Sequence, residues 1–209
     1  MIKLSTIILE STSAPKAVIM AGGGGVGKSY LLNQLSLDSL QQYNPDKYVE
    51  DPEHPYHNKL GPASNQVAKD VASATEDKQS FVWDTTASGT RFMSQLEDMM
   101  SKGYGVYMVM VYAHPMISYA ANFERSERSL PSVAVFSTWR NAYQLIGEYQ
   151  QKLKGNLSIY VSDRGGKYSK EVEGFNKAAE KGVDGIKEYL QVYNEETGAG
   201  KSTFFKPVE

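Results

Sequence analysis

The sequence predicts an α/β domain in which a parallel sheet of about five strands lies between two layers of helices. Three observations carry this. Short apolar runs alternate along the chain with stretches of helical periodicity, the order expected of strand–helix–strand units. Val106 to Tyr112 is apolar at every position, as in a parallel strand covered on both faces. Gly22-Gly23-Gly24-Gly25-Val26-Gly27-Lys28-Ser29 stands between an apolar run and a helical one, so a glycine loop joins the first strand to the first helix.

Residues 1 to 16 read as an arm ending in the Ser11 to Pro15 breaker cluster, and Ala17 to Met20 is the first strand. Tyr30, Leu31, Leu32, Leu35 and Leu37 space the first helix. A short second strand ends near Asn44. The prolines between Asp38 and Pro62 predict a long loop after it. Asn65 to Gln79 is helical, with Val67, Ala68, Val71, Ala72 and Thr75 inward, and Ser80 to Asp84 is a strand closing on an acid. Arg91 to Lys102 is an amphipathic helix with Phe92, Leu96 and Met99 inward, stopped at Gly103. After the strand at 106–112, Ser118 to Arg128 and Ser132 to Lys154 are helical, separated at Pro131. Leu157 to Val161 is the last strand, and Lys170 to Tyr193 supplies one or two terminal helices. The domain thus spans 17–193, and the tail from Asn194 is polar.

The chain has 209 residues, room for one α/β core. A net charge of −2 offers no broad basic surface, which argues against a nucleic-acid substrate. With no cysteine there is no disulfide, thiolate metal site or cysteine nucleophile, in keeping with a cytoplasmic protein. Met1 to Glu10 fits a signal peptide poorly, and no run approaches membrane-spanning length.

Residues 22 to 29 match G-x-x-x-x-G-K-[ST], the phosphate-binding loop. Glycines allow successive N–H groups to curl around phosphate oxygens, and the following helix turns its positive end to the same place. Lys28 would reach the β- and γ-phosphates, and the Ser29 hydroxyl would ligate Mg²⁺. The nucleotide-binding set is therefore Gly22, Gly23, Gly24, Gly25, Val26, Gly27, Lys28, Ser29 and the adjoining Tyr30, with ATP and Mg²⁺ as cofactors. Gly198-Ala199-Gly200-Lys201-Ser202-Thr203 imitates the motif, but Glu195 replaces its first glycine and no apolar strand leads into it.

No Asn-Lys-x-Asp is present to read guanine, since Asn58-Lys59 continues as Leu60-Gly61. A small kinase needs three further parts. One is a base for the acceptor hydroxyl, for which Asp46 in Asn44-Pro45-Asp46 is the candidate, against a simple Asx turn; Glu50 and Asp51 are in reserve. The second is an acid near Mg²⁺ or the acceptor, which Asp84 supplies after Phe81-Val82-Trp83. The third is a helical lid over about 118–131 whose Arg125 and Arg128, three apart, share a face and neutralise the transferring phosphoryl group; the plainer alternative is a solvated helix pairing them with Glu124 and Glu127.

On these motifs, from about Ala17 to Asp163, the chain resembles the zeta-toxin-type phosphate-loop kinases. The resemblance rests on Gly22 to Ser29, Asn44-Pro45-Asp46, Phe81 to Thr86 and the arginine-then-proline run Arg125 to Pro131. It implies a three-layer α/β/α kinase fold, with Lys28 on ATP, Asp46 as base and Arg125 and Arg128 acting in transfer. It also implies a small-molecule or nucleotide-sugar acceptor. The sequence shows no antitoxin-type partner. A nucleotide-binding module without transfer and a polynucleotide kinase are the other readings. His54 and His57 lie in a proline-broken loop that suits acceptor recognition better than a metal. Asp163-Arg164-Gly165-Gly166 is either the adenine wall or a plain turn.

Overall fold

A computed structural model describes residues 14–124 and 130–199. Five strands form one parallel sheet in the order β2-β3-β1-β4-β5: β1 Lys16–Ala21, β2 Gln41–Tyr43, β3 Phe81–Asp84, β4 Gly105–Tyr112 and β5 Leu157–Val161. β1 lies at the centre with all six residues buried. Its side chains divide by period two, which is why both faces had to be apolar. Ala17, Ile19 and Ala21 pack with Phe81, Trp83, Met108 and Met110 on one face, while Val18 and Met20 pack with Val82 and Val109 on the other.

The described residues also form nine α-helices: α1 Lys28–Gln34, α2 Pro45–Glu50, α3 Leu60–Glu76, α4 Thr90–Ser101, α5 Pro115–Phe123, α6 Ser132–Tyr143, α7 Ile146–Leu153, α8 Ser169–Ala179 and α9 Gly182–Thr197. On the first face Val67 and Val71 of α3, Phe92, Leu96 and Met99 of α4, and Tyr149 and Leu153 of α7 close the larger cluster. Leu32 of α1, with Leu35 and Leu37, covers the second. The inward stripe of α3 uses Ala74 where the spacing pointed to Ala72, which is exposed.

Several boundaries differ from the sequence reading, each for a local reason. The stretch expected as a long loop holds α2 and the start of α3, because two of its prolines sit where a helix tolerates them, while Pro52 and Pro55 fall in the turns between the two helices. Pro45 is the first residue of α2, and Pro62 falls in the first turn of α3, where the missing N–H has no intrahelical partner to lose. α5 likewise begins early, at Pro115, capped by His114 Nδ1 accepting from the Met116 N–H at 3.2 Å; it is described to Phe123, and the last part of the stretch expected to Arg128 lies outside the described residues. The helical stretch 132–154 is interrupted at Gln144 and Leu145. At about 100° per residue, Tyr143 and Tyr149 would sit about 240° apart on one helix, yet both must point inward. α9 continues past Asn194, held by the Tyr119 hydroxyl donating to Asn194 Oδ1 at 2.6 Å, and stops at Gly198 with φ 76°. That glycine is a helix terminator, and the rest of the second glycine motif, from Gly200 on, lies outside the described residues.

Leu96 is fully buried between sheet and α4. Leu96→Ala should lower the unfolding free energy by about 2–5 kcal/mol in urea titration, with little change in the denaturant slope.

Candidate active site

Strand register assembles the site. Met20, next to last in β1, pairs with Asp84, the last residue of β3. Tyr43 pairs with Trp83, so Asn44 falls in line with Asp84 one strand further out. The glycine loop, the acid and the Asn-Pro-Asp segment therefore meet at the carboxyl ends of adjacent strands, where ligands bind in such sheets.

Two loop glycines are required by contact as well as by angle. Gly22 has φ 134°, and a Cβ there would stand 2.5 Å from the Val111 carbonyl oxygen; at Gly25, φ 77°, it would stand 2.5 Å from that of Ser118. Val26 is buried among Val111, Ile117 and Ala120 and pegs the loop to the sheet and α5. Three side chains outside the motif brace it. The Tyr143 hydroxyl donates to the Val111 carbonyl at 2.6 Å and accepts from the Gly23 N–H at 3.4 Å. Burial pushes this phenol up to about 12, so it stays a donor at neutral pH. Trp139 Nε1 donates to the Ala113 carbonyl at 2.8 Å, and Ser118 Oγ donates to the Gly24 carbonyl. Sequence reasoning missed all three, because their only signal was placement on stretches read as helical.

Lys28 turns over its own loop, donating to the carbonyls of Gly22 at 3.0 Å and Gly23 at 3.2 Å. Its Nζ lies 3.6 Å from Asp84 Oδ1, both side chains being nearly buried. Ser29 and Tyr30 follow on the exposed side of α1. Asn44 caps α2, its Oδ1 accepting from the Asp46 N–H at 2.9 Å, while its Nδ2 reaches Asp84 Oδ2 at 3.5 Å. Lys28, Asp46 and Asp84 line a cavity of about 310 Å³ together with Thr85, Thr86, Ser88 and Thr138, over a floor that includes Trp83 and Val67. Glu50 and Asp51 do not line it, and Asp51 Oδ1 is taken by the Glu53 N–H at 3.0 Å. The Asn-Pro-Asp segment is thus both a cap and a wall of the cavity.

Arg125 and Arg128 lie outside the described residues. The chain leaves α5 at Glu124 and returns at Leu130, whose carbonyl accepts from the buried Asn122 Nδ2 at 3.1 Å and whose side chain lines the cavity. Glu124 is directed elsewhere: Lys167 and Tyr168 donate to its carboxylate and hold it below its usual range.

On the other side of the loop a second cavity, about 540 Å³, is lined by Gly27, Tyr30, Leu31, Tyr160, Asp163 and Arg164. Asp163 Oδ1 accepts from the Gly165 N–H at 2.9 Å, and Arg164 takes φ 56°. This segment is therefore a capped turn and a cavity wall at once. The histidine loop packs back onto the helices instead. His54 stacks on Tyr48 with ring centroids 4.5 Å apart and accepts from the Tyr56 N–H at 3.1 Å. Tyr48 in turn donates to Asp70 at 2.8 Å, and burial first, then Asp70, pushes its phenol up to about 12. It is Leu60 and Ser64, after that loop, that reach the first cavity. Among the described residues no group of three His, Asp or Glu side chains could hold a metal, and no helix is long and apolar enough to cross a membrane.

The sequence matches the model of the Zeta toxin family over residues 3–168. No curated protein matches it. Among solved structures it is similar to one from the PezAT chromosomal toxin–antitoxin system of Streptococcus pneumoniae, at 14% identity and TM-score 0.53, covering 87% of this chain and 89% of that one. It is also similar to the AvrRxo1-ORF1:-ORF2 complex in its native form (15% identity, TM-score 0.58, 77% of this chain) and with ATP (16%, 0.53, 76%). In both of those this chain spans only 58% of the matched one. At such identities the structural likeness is one of fold. The family match covers most of the chain, and with the 2-3-1-4-5 parallel sheet and the braced glycine loop it leads to one conclusion: this protein belongs to the Zeta toxin family and has the P-loop kinase type of fold.

Proposed function

We propose that the protein is an ATP- and Mg²⁺-dependent kinase that transfers the γ-phosphoryl group to a hydroxyl of a small molecule or nucleotide sugar. The observation that supports this best is the convergence of Lys28, Asp46 and Asp84 on one cavity whose remaining polar side chains are hydroxyls and the Asn44 amide. Lys28, a point charge over the loop, offsets charge on the β- and γ-phosphates. Asp46, which lines the same cavity, takes the proton of the acceptor hydroxyl. Arg125 and Arg128, among the five residues between Glu124 and Leu130, meet the charge that spreads over the transferring group. The second cavity, with Tyr30 and Arg164, takes the nucleoside end. Ser29 and Asp84 offer hard oxygen donors of the kind Mg²⁺ takes, so these residues fit that ion. When bound it supplies charge neutralisation between the β- and γ-phosphates.

The decisive experiment is mass spectrometry of a metabolite extract incubated with protein, ATP and Mg²⁺, in which one phosphorylated product should appear. ATP bound with no product from a broad mixture would leave a binding module. Lys28→Ala should keep the fold by circular dichroism and lose most ATP affinity by calorimetry; unchanged affinity in the folded variant would remove the loop's assignment. Asp46→Asn keeps the shape and lacks the base, so transfer should fall by about 10²- to 10⁴-fold with ATP affinity retained. Arg125→Ala or Arg128→Ala should lower kcat far more than ATP affinity, and equal losses in both would mark a ground-state contact.

A further inference from the structure

The two carboxylates stand on different elements, Asp46 in the first turn of α2 and Asp84 at the end of β3, and a single amide touches the segment of one and the carboxylate of the other. Asn44 Oδ1 accepts from the Asp46 N–H at 2.9 Å, which settles the orientation of the amide. Its NH₂ group therefore faces the opposite way and reaches Asp84 Oδ2 at 3.5 Å. The other oxygen of the same carboxylate, Oδ1, lies 3.6 Å from Lys28 Nζ. Asp84 is thus held between a donor on β2's end and a cation on the glycine loop. The Lys28 ammonium stands beyond direct hydrogen-bond reach of it and instead donates to Gly22 and Gly23.

An N-cap needs only an oxygen. Serine and aspartate cap about as well as asparagine, so the cap alone does not call for an amide. The NH₂ end has a separate task. Reaching Asp84 Oδ2 at 3.5 Å, it ties that carboxylate to the end of β2 while Lys28 faces the other oxygen.

We propose that Asn44 is a positioning residue that acts through Asp84. With one side chain it sets the spacing between the segment carrying the base and the acid that serves Mg²⁺. This rests on the kinase reading above, and the test separates the two.

The cap and the donor can be removed independently. Asn44→Ser keeps the capping oxygen and lacks the NH₂; Asn44→Ala lacks both. Thermal melts report the cap. Calorimetry of ATP with Mg²⁺ and with EDTA reports the gain in affinity that Mg²⁺ confers, and ADP release from Mg²⁺–ATP reports turnover without an identified acceptor. Asn44→Ser should melt close to the wild type while the Mg²⁺-dependent gain and turnover each fall about tenfold, the scale of losing a partner behind a metal ligand. Asn44→Ala should show the same loss and a lower Tm. A wild-type Mg²⁺ gain and turnover in Asn44→Ser would reduce Asn44 to a cap and overturn the proposal. Should the serine variant melt early, the Asp84→Asn background decides: adding Asn44→Ser there should cost no further Mg²⁺-dependent affinity, and additive losses would overturn the proposal. If the wild-type protein gains nothing from Mg²⁺ and releases no ADP, the kinase reading itself fails and the proposal falls with it.

Discussion

Everything at the site depends on β1 being paired along both edges and covered on both faces. Its neighbours β3 and β4 supply hydrogen bonds on either side, and no residue of the strand is exposed. A strand so enclosed cannot shift by one residue without turning its side chains to the wrong face. The glycine loop that leaves it is consequently delivered to one place, and the register that puts Met20 beside Asp84 sets the acid next to Lys28. The chemistry is a by-product of strand alignment.

The loop is not stiff by itself. Glycines widen its conformational choice, and the fold narrows it again from outside. The Val111 carbonyl crowds Gly22, the Ser118 carbonyl crowds Gly25, and the Tyr143 hydroxyl bridges Val111 to Gly23. Helices α5 and α6 thus brace a loop far from them in sequence. The break between α6 and α7 belongs to the same arrangement, since it allows Tyr143 to face the loop while Tyr149 reaches the core and donates to the Ala87 carbonyl at 2.5 Å.

The prolines between Tyr43 and Pro62 carry a related lesson. Read one by one they are helix breakers, and a loop was the natural expectation. Their positions reverse it: Pro45 follows the capping Asn44, and Pro62 occupies a first turn. The short helix so formed is fastened at its middle by Tyr48 bonding Asp70 of α3, with Gln66 Nε2 donating to the same carboxylate at 2.8 Å. Asp46 is therefore carried on a supported element at the edge of the cavity.

What the sequence determined by itself was whatever local chemistry dictates. Short apolar runs named the strands, the all-apolar stretch at 106–112 named a covered parallel strand, and glycine spacing before Lys28-Ser29 named the phosphate loop. Asp84 was legible as an acid closing a strand, because that statement needs only neighbours in the chain. Tertiary structure decided what depends on distance across the sheet. It separated Asp46 from Glu50 and Asp51 by which of them lines the cavity. It revealed Tyr143, Trp139 and Ser118 as supports, and it gave the Asn44 amide its second contact. The reason is physical: helix and strand propensities act over a few residues, whereas a hydrogen bond between residues 40 or 120 positions apart exists only after packing has brought them together.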